Sequence, residues 1–286
     1  MDKEIARDYY LEQLIKRKDN GLIKIVTGIR RCGKSYLLRT IFKKHLIESG
    51  VDEDHIIEMA FDLFDNIEYR DPKVFYPWAK RRLKDEDKYY FLLDEIQLLD
   101  EFVSVLNGLA DKKNCDVFVT GSNARFLSKD IATEFGGRGD EIRMYPLCFS
   151  EFMTVFEGNR YDGFNEYITY GGIPLVVLAE TEDQKIALLD NLFKETYIND
   201  IVRRNKIRNV GEMEALLDIL SSSIGALTNP NKLQKTFKSV NKSKITATTI
   251  TKYIEYLEDA FLIEEAVRYD IKGKSYIGTP LKYYYM

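Results

Sequence analysis

Cysteine is scarce in this sequence, and long apolar runs are missing from it. The 286 residues include three cysteines, Cys32, Cys115 and Cys148, which lie far apart and form no CxxC pair. This spacing argues against a disulfide framework or a zinc cluster and suits a reducing compartment. The start, MDKEIARDYYLEQL, has no apolar signal core, and no run of 18 apolar residues follows. We therefore expect a soluble, cytoplasmic protein without a membrane segment.

A strong overall charge is also missing. The formal net charge is −4, so a nucleic-acid site would have to be a local basic patch rather than a property of the whole surface. Hydrophobic residues make up 45% of the chain and charged residues 31%, with no internal repeat and no low-complexity linker. A chain of this length and composition can bury a large core and suits about two domains.

Short apolar runs alternate with helical patterns over the first half of the chain. A first amphipathic helix is predicted over 3–18, with Tyr9 and Leu14 on its apolar side. Alternating strands and helices predict an α/β fold in three layers around a central parallel sheet. From Cys148 onward helical patterns dominate, so a domain boundary is expected near residue 150. The predicted strands cover 21–28, 55–63, 88–97, 115–123 and 140–147.

The segment GIRRCGKS, residues 28–35, lies between the first predicted strand and a helix and matches GxxxxGK[ST]. Glycines allow the backbone N–H groups to line a concave nest, and the helix N-terminus adds partial positive charge. Lys34 would reach the β- and γ-phosphates of ATP, and the Ser35 hydroxyl would bind Mg²⁺. The alternative is a glycine turn with a helix-capping serine. The predicted nucleotide-binding residues are Gly28, Ile29, Arg30, Arg31, Cys32, Gly33, Lys34, Ser35 and Tyr36.

Acidic and polar residues end two further predicted strands. In YYFLLDEIQ, Asp94 suits Mg²⁺ or a metal-bound water, and Glu95 suits the general base that activates a water molecule. The alternative is a solvated strand end. In DVFVTGSN, Ser122 and Asn123 follow a buried strand, where they would bond the attacking water or the γ-phosphate, or simply form a local turn. Cys32 is interpreted as a small loop residue, and its place beside the P-loop gives the further hypothesis that its oxidation blocks nucleotide binding.

These motifs together resemble a known family. GIRRCGKS, LLDEIQ and TGSN are similar to bacterial and archaeal AAA+-type ATPases of the additional-strand, catalytic-glutamate class of P-loop proteins. Further similar segments are GGRGDEIRMYPLCFSEF (136–152), GGIPLVV (171–177), LEDAFLIEE and PLKYYYM, so the resemblance covers nearly the whole chain.

The resemblance implies a five-stranded sheet with the P-loop strand central, then a helical lid and a winged helix. The corresponding domains are 1–150, 151–209 and 210–286. Family members continue into a nuclease-like region, and a short member and a piece of a longer chain both fit this sequence.

The resemblance also makes Arg138 in GGRG a candidate arginine finger, acting on the phosphates in cis or from a neighbouring subunit of a homo-oligomer. The alternative is an exposed loop arginine.

Lysines without acids mark the segment 228–254. Two predicted helices with a short turn between them, followed by a hairpin through 269–276, have the layout of a winged helix, whose second helix can enter a major groove. Lysines suit contacts with DNA phosphates, whereas no arginine is present there to read guanine. Packing or protein contact is the alternative. The candidate residues are Lys232, Lys235, Lys238, Lys242, Lys244 and Lys252.

Three functions fit these patterns. The first is hydrolysis of ATP to ADP and phosphate, with Mg²⁺, to drive or gate a conformational change. The second is a small-molecule kinase on the same fold, although no acceptor pocket is identified by the sequence. The third is a nucleotide-switched DNA-binding module with little turnover.

Overall fold

The computed structural model describes residues 4–121, 135–240, 242–267 and 280–286, and for 195–197 the backbone only. The chain divides into two compact units, Met1–Leu188 and Leu189–Met286. The three-part division 1–150, 151–209 and 210–286 stays a prediction. None of the helices in the described part of the chain combines the length and apolar character needed to cross a bilayer.

A five-stranded parallel sheet forms the centre of the first unit, with helices packed around it, as the predicted α/β fold requires. Its strands follow the order β2-β3-β4-β1-β5. Strands β1, β3 and β4 are buried along their whole length, which is why they read as continuous apolar runs. The strands are β1 (Ile23–Thr27), β2 (Ile56–Ala60), β3 (Tyr89–Asp94), β4 (Cys115–Thr120) and β5 (Gly139–Arg143).

The strand order corrects one expectation. The P-loop strand β1 lies between β4 and β5, and the middle strand is β4, not β1. Strand β4 separates β1 from the acidic strand β3, so β4 is the additional strand that the resemblance implies. The reason is topological, because the chain leaves β3, crosses over through a helix and inserts β4 beside β1.

Helical segments connect and cover the strands. The segment after the P-loop is continuous from Lys34–Tyr36 through a π-helical stretch, Leu37–Phe42, to Lys43–Glu48. Segments of 3₁₀ helix occur at Glu53–His55, Phe64–Arg70 and Ile96–Leu98. The remaining described helices of this unit are Asp8–Arg17, Pro72–Arg82, Phe102–Ala110, Phe149–Met153, Arg160–Tyr170, Pro174–Val177 and Glu182–Asn191, the last of which contains the division point.

The second unit is mostly helical and ends in a small antiparallel pair of strands, β6 (Ile263–Ala266) and β7 (Lys282–Tyr285). Thr228 forms an isolated antiparallel bridge with Leu281. The predicted hairpin 269–276 lies outside the described residues. The helical segments are Leu192–Ile198, which is π-helical, Asn199–Asn205, Val210–Ser222, Pro230–Val240 and Ala247–Asp259.

Candidate functional site

The loop 28–35 leaves the carboxyl end of β1 and closes directly onto a helix N-terminus. Gly28 has φ 142°, and a Cβ atom at this position would lie 2.1 Å from the Met144 carbonyl oxygen, so only glycine fits. Gly33 has φ 100°, again the left-handed region that favours glycine. Arg31 shares this region, with φ 67°. The backbone therefore turns as a phosphate-binding loop requires.

Lys34 is buried in this arrangement, with 4% of its side chain area exposed. Its ammonium donates hydrogen bonds to the carbonyl oxygens of Gly28 and Ile29, each at 2.9 Å, so the loop curls around its own lysine. Arg30, Arg31 and Tyr36 are exposed. The ammonium is thus held at the centre of the loop, where a bound phosphate would meet it.

Asp94 connects two strands of the sheet with the helix that follows the loop. The Ser35 hydroxyl donates to Asp94 Oδ1 at 2.9 Å, and the Thr120 hydroxyl donates to the same oxygen. Ser35 is the second residue of the helix after the loop, Asp94 ends β3 and Thr120 ends β4. The carboxyl ends of parallel strands meet at one edge of a sheet, which is where such folds bind ligands. The predicted partners Ser35 and Asp94 are therefore brought together.

Asp94 is 3% exposed, and burial raises the pKa of its carboxyl group. The hydrogen bonds from Thr120 and Ser35 act in the opposite direction, while the nearby charges of Glu95 and Asp62 add to the increase. A concentrated negative charge in a poorly solvated place favours a cation beside it.

Glu95 follows Asp94 in a left-handed conformation, with φ 51° and ψ 48°. Its backbone N–H donates to the Thr120 hydroxyl oxygen at 3.0 Å, and its carboxylate accepts a hydrogen bond from the Gln97 amide. A non-glycine residue in this region is uncommon and is often held there by its surroundings at functional sites. Glu95 lies just beyond the end of β3, where it is half-buried.

The surroundings of Cys32 do not fit the hypothesis that its thiol is readily oxidised. Its thiol is fully buried, lies 3.7 Å from the Met144 carbonyl oxygen, and has a pKa raised by burial. A raised pKa disfavours the thiolate, which is the form that oxidants attack. The expected inactivation by oxidation of Cys32 is therefore not supported.

Arg138 lies far from the loop within its own chain. It precedes β5, its carbonyl oxygen accepts a hydrogen bond from the Ile23 N–H at 2.8 Å, and its guanidinium contacts Asp111 at 2.6 Å. Ile23 begins β1, whereas the phosphate loop follows the end of β1. The strand between them spans roughly 13 Å. Arg138 is thus at the opposite edge of the sheet from Lys34, which argues against a role in cis.

Sequence reasoning missed several residues around the loop. Thr120 and Gln97 bind the two acids, and Met144 forms the wall against Gly28. Thr120 carried a signal, because it is the polar last residue of a strand that is buried along its whole length. Met144 carried no signal in the sequence, because only the pairing of β5 with β1 brings it to the loop. The predicted contacts of Ser122 and Asn123 lie outside the described residues.

The fold and the loop define the class: this is a P-loop NTPase of the AAA type. A model of the family described as "AAA domain" matches residues 20–153, and a "Domain of unknown function (DUF8612)" matches 161–286. An uncharacterized protein of Haemophilus influenzae is 36% identical over 98% of this chain and 71% of its own length. The chain belongs to the same family as this bacterial relative.

Archaeal relatives are more distant. Uncharacterized protein MJ1544 of Methanocaldococcus jannaschii is 29% identical over 96% of this chain, which spans 62% of that relative's length. Among solved structures, Orc1 of Aeropyrum pernix in complex with DNA has a TM-score of 0.40 at 12% identity, covering 100% of this chain and 90% of the other. DnaA of Aquifex aeolicus bound to AMPPCP has a TM-score of 0.41 at 12% identity, covering 90% of this chain and 89% of the other. Similarities this distant carry no weight for function.

Proposed function

We propose that this protein binds ATP and hydrolyses it to ADP and phosphate, driving or gating a conformational change. The observation that carries the proposal is the convergence on Asp94 Oδ1 of one hydroxyl from the phosphate loop and one from β4. Lys34 and the loop amides hold the phosphates. Glu95, next to Asp94, accepts a proton from the attacking water. Phosphate release without any added acceptor separates this reaction from that of a small-molecule kinase.

Mg²⁺ fits the donors at this site. Ser35 Oγ and Asp94 Oδ1 are oxygen ligands of the kind magnesium prefers, and they lie 2.9 Å apart. When bound, Mg²⁺ neutralises phosphate charge and orients the phosphate oxygens. Ser35 and Asp94 would exchange their mutual hydrogen bond for the ion and its water ligands.

Thr120 and Gln97 set the position of the base. Thr120 accepts the Glu95 N–H while donating to Asp94, so one hydroxyl fixes the spacing of both acids. The Gln97 amide donates a hydrogen bond to the Glu95 carboxylate and so restricts where that carboxylate can lie.

Replacing Glu95 by Gln tests this assignment. The amide keeps the size of the side chain but cannot accept the proton, so turnover should fall by about 10²–10⁴-fold while ATP binding persists. Phosphate release and calorimetric binding are the measurements, with Glu86→Gln, an exposed glutamate in the preceding loop, as matched control. Unchanged turnover in Glu95→Gln would remove Glu95 from the mechanism, and an absence of ATP binding by the wild type would remove the proposed function.

We further propose that Arg138 acts as an arginine finger in trans. Its location supports this, because Arg138 lies beside the first residue of β1 and the phosphate loop follows the last residue of that strand. A neighbouring copy in a head-to-tail homo-oligomer would present Arg138 to the γ-phosphate bound by Lys34. The ion pair with Asp111 is half-exposed, and leaving it would cost little.

A second candidate function is contact with DNA through the second unit. The order of elements supports a winged helix: the helix Val210–Ser222, the bridging Thr228, two further helices, and the paired strands β6 and β7. All six predicted lysines are exposed. Leu233 and Phe237 form the buried side of Pro230–Val240, which leaves its lysines together on the opposite face. We propose that this face contacts backbone phosphates.

Salt dependence distinguishes DNA binding from protein contact. Replacing Lys232, Lys235 and Lys238 by Gln should reduce the salt slope of binding by as much as about 3, since each phosphate contact contributes about 0.9. Binding to a DNA duplex is measured across a salt series with and without ATP, and Lys73, Lys80 and Lys84 provide a triple Gln control. An equal slope in both triple variants would favour the alternative of packing or protein contact.

A further inference from the structure

Strand β2 is an edge of the central sheet and pairs with β3 alone. The Phe61 N–H donates to the Asp94 carbonyl oxygen, so the odd-numbered residues of β2 turn their backbone groups towards β3 and the even-numbered residues turn theirs outwards. Four of the outward groups have no hydrogen-bond partner among the residues that the structure describes: the carbonyl oxygens of Ile56 and Glu58 and the N–H groups of Glu58 and Ala60. This edge therefore presents donors and acceptors at the spacing of a strand.

The usual protections of an exposed strand edge are weak in β2. Natural edges are blunted by lysine, proline, bulges or a covering element. The sequence of β2, IIEMA, contains neither proline nor lysine. Its one charged residue, Glu58, is neutralised by Lys43 at 2.7 Å and Arg39 at 3.6 Å. The other edge strand, β5, differs, because Arg17 of the first helix contacts its Asp140. Strand β2 therefore remains able to accept an added strand.

A groove of about 170 Å³ lies beside this edge. Its lining includes backbone and side chains of β2, the end of the helix Pro72–Arg82 and the turn that follows, namely Ile56, Ile57, Glu58, Trp78, Arg82 and Lys84. A space of this size holds about one ring-sized group, so a side chain fits and a helix does not. An extended chain matches both the open edge and the small groove, because its alternate side chains point to opposite faces.

The charges of the groove favour an acidic partner. Each of the three acids that line it contacts a lysine ammonium, Glu53 and Glu58 that of Lys43 and Asp54 that of Lys84. Arg82, in contrast, is exposed and forms no ion pair within the described ranges of the chain. Its guanidinium carbon lies 4.7 Å from the centre of the Trp78 ring. Stacking on an aromatic face orients a guanidinium and leaves its N–H groups available to a carboxylate.

We propose that the outer edge of β2 binds an extended, acidic segment of a partner protein, which joins the five-stranded sheet as an added strand. One residue of that segment pairs with the N–H and carbonyl groups of Glu58, and an aspartate or glutamate carboxylate binds Arg82. The backbone hydrogen bonds supply affinity and the carboxylate supplies selectivity. A second copy of this chain fits less well, because pairing two β2 strands about their midpoint would place two copies of Glu58 opposite each other.

Short random peptides displayed on phage, selected against the full chain, provide the probe. We expect the selected peptides to carry an acid within a β-forming sequence. The best of them, made synthetically, should bind about tenfold more weakly to Arg82→Glu, and replacing its acid by lysine should restore binding to this variant. Arg81→Glu is the matched control, because Arg81 is the exposed neighbour in the same helix and does not line the groove.

Methylation of the peptide backbone distinguishes an added strand from other modes of binding. Only alternate N–H groups of an added strand face β2. N-methylation of one alternate set of peptide residues should therefore abolish binding, and methylation of the other set should leave it intact. Equal effects of the two sets, equal losses in Arg81→Glu and Arg82→Glu, or a selection without acidic peptides would overturn the proposal. Self-association that Arg82→Glu abolishes, measured by light scattering, would also overturn it, because a second copy would then occupy the edge.

Discussion

The adjacent carboxylates Asp94 and Glu95 lie in different environments, because the backbone turns between them. Asp94 is buried at the end of a strand, receives two hydroxyl hydrogen bonds and still has a raised pKa, because burial outweighs the hydrogen bonds. Glu95, one residue later, is half-buried and bound by Gln97. Adjacent carboxylates in different environments can take different roles, one binding a cation and one accepting a proton.

Asp94→Asn should stabilise the ligand-free protein at neutral pH while abolishing hydrolysis. A raised pKa means that ionised Asp94 opposes folding, with no penalty below the pKa of the unfolded state and a growing penalty as the pH rises towards the folded pKa. The stability difference between variant and wild type should therefore shrink in acid. Thermal unfolding from pH 4 to pH 8 measures it, with exposed Asp65→Asn as control. A variant less stable by the same amount at every pH would contradict this explanation.

Strand β1 and the phosphate loop that follows it are constrained by a buried ion pair near one end and by close backbone packing at the other. In β1, Lys24 is fully buried, and its ammonium pairs with the buried Asp116 of β4 and with the Leu22 carbonyl oxygen. A buried charge of this kind is tolerated because it is paired and hydrogen-bonded. At the other end of β1, Gly28 passes so close to Met144 that a side chain has no space.

Gly28→Ala is expected to distort the loop and abolish phosphate binding. Gly50→Ala is a matched control, because Gly50 also has a positive φ, 94°, but a Cβ there would meet nothing within 4 Å. Backbone strain alone should cost Gly50→Ala about 1 kcal/mol, whereas Gly28→Ala adds a clash with rigid backbone. Denaturant unfolding and tripolyphosphate binding measure both effects. Similar stability and binding in the two variants would show that the contact with Met144 is unimportant.

At the scale of the whole molecule, the phosphate loop and Arg138 occupy opposite edges of one sheet. A chain built in this way cannot bring its own Arg138 to its own nucleotide without unpairing β5 from β1. The proposed finger therefore requires a second copy, and a head-to-tail arrangement would repeat the same contact from copy to copy.

Mixing two inactive variants tests the proposed contribution in trans. Arg138→Ala should reduce turnover by about a thousandfold, the usual contribution of such a finger, and Glu95→Gln should also be inactive. When the two are mixed, some sites combine an intact Glu95 with an intact Arg138 from the neighbour, so part of the wild-type turnover should return. Arg17→Ala mixed with Glu95→Gln is the control. No recovery on mixing, with assembly demonstrated by light scattering, would contradict the finger in trans.

The sequence by itself determined the elements whose signals are local. The strand–loop–helix order and the GxxxxGK[ST] spacing located Lys34 and Ser35, and the buried runs located five strands to within a few residues. The first helix shows the limit of periodicity, because Tyr9, expected on the apolar side, is 64% exposed while its neighbour Tyr10 is buried. Helical spacing identifies an apolar side only approximately, and packing selects which aromatic ring is covered.

Only the tertiary structure decided the contacts between residues distant in sequence. The order of the strands put β4 beside β1, brought Thr120 to Asp94, set Met144 against the loop and joined Arg7 to Tyr145, which is 138 residues away. The pairing of β5 with β1 also places Arg138 at the end of the sheet opposite the phosphate loop. Local patterns report the conformation and burial of a segment, whereas strand pairing between distant segments leaves no trace in a single sequence, because any buried apolar strand can pair with any other.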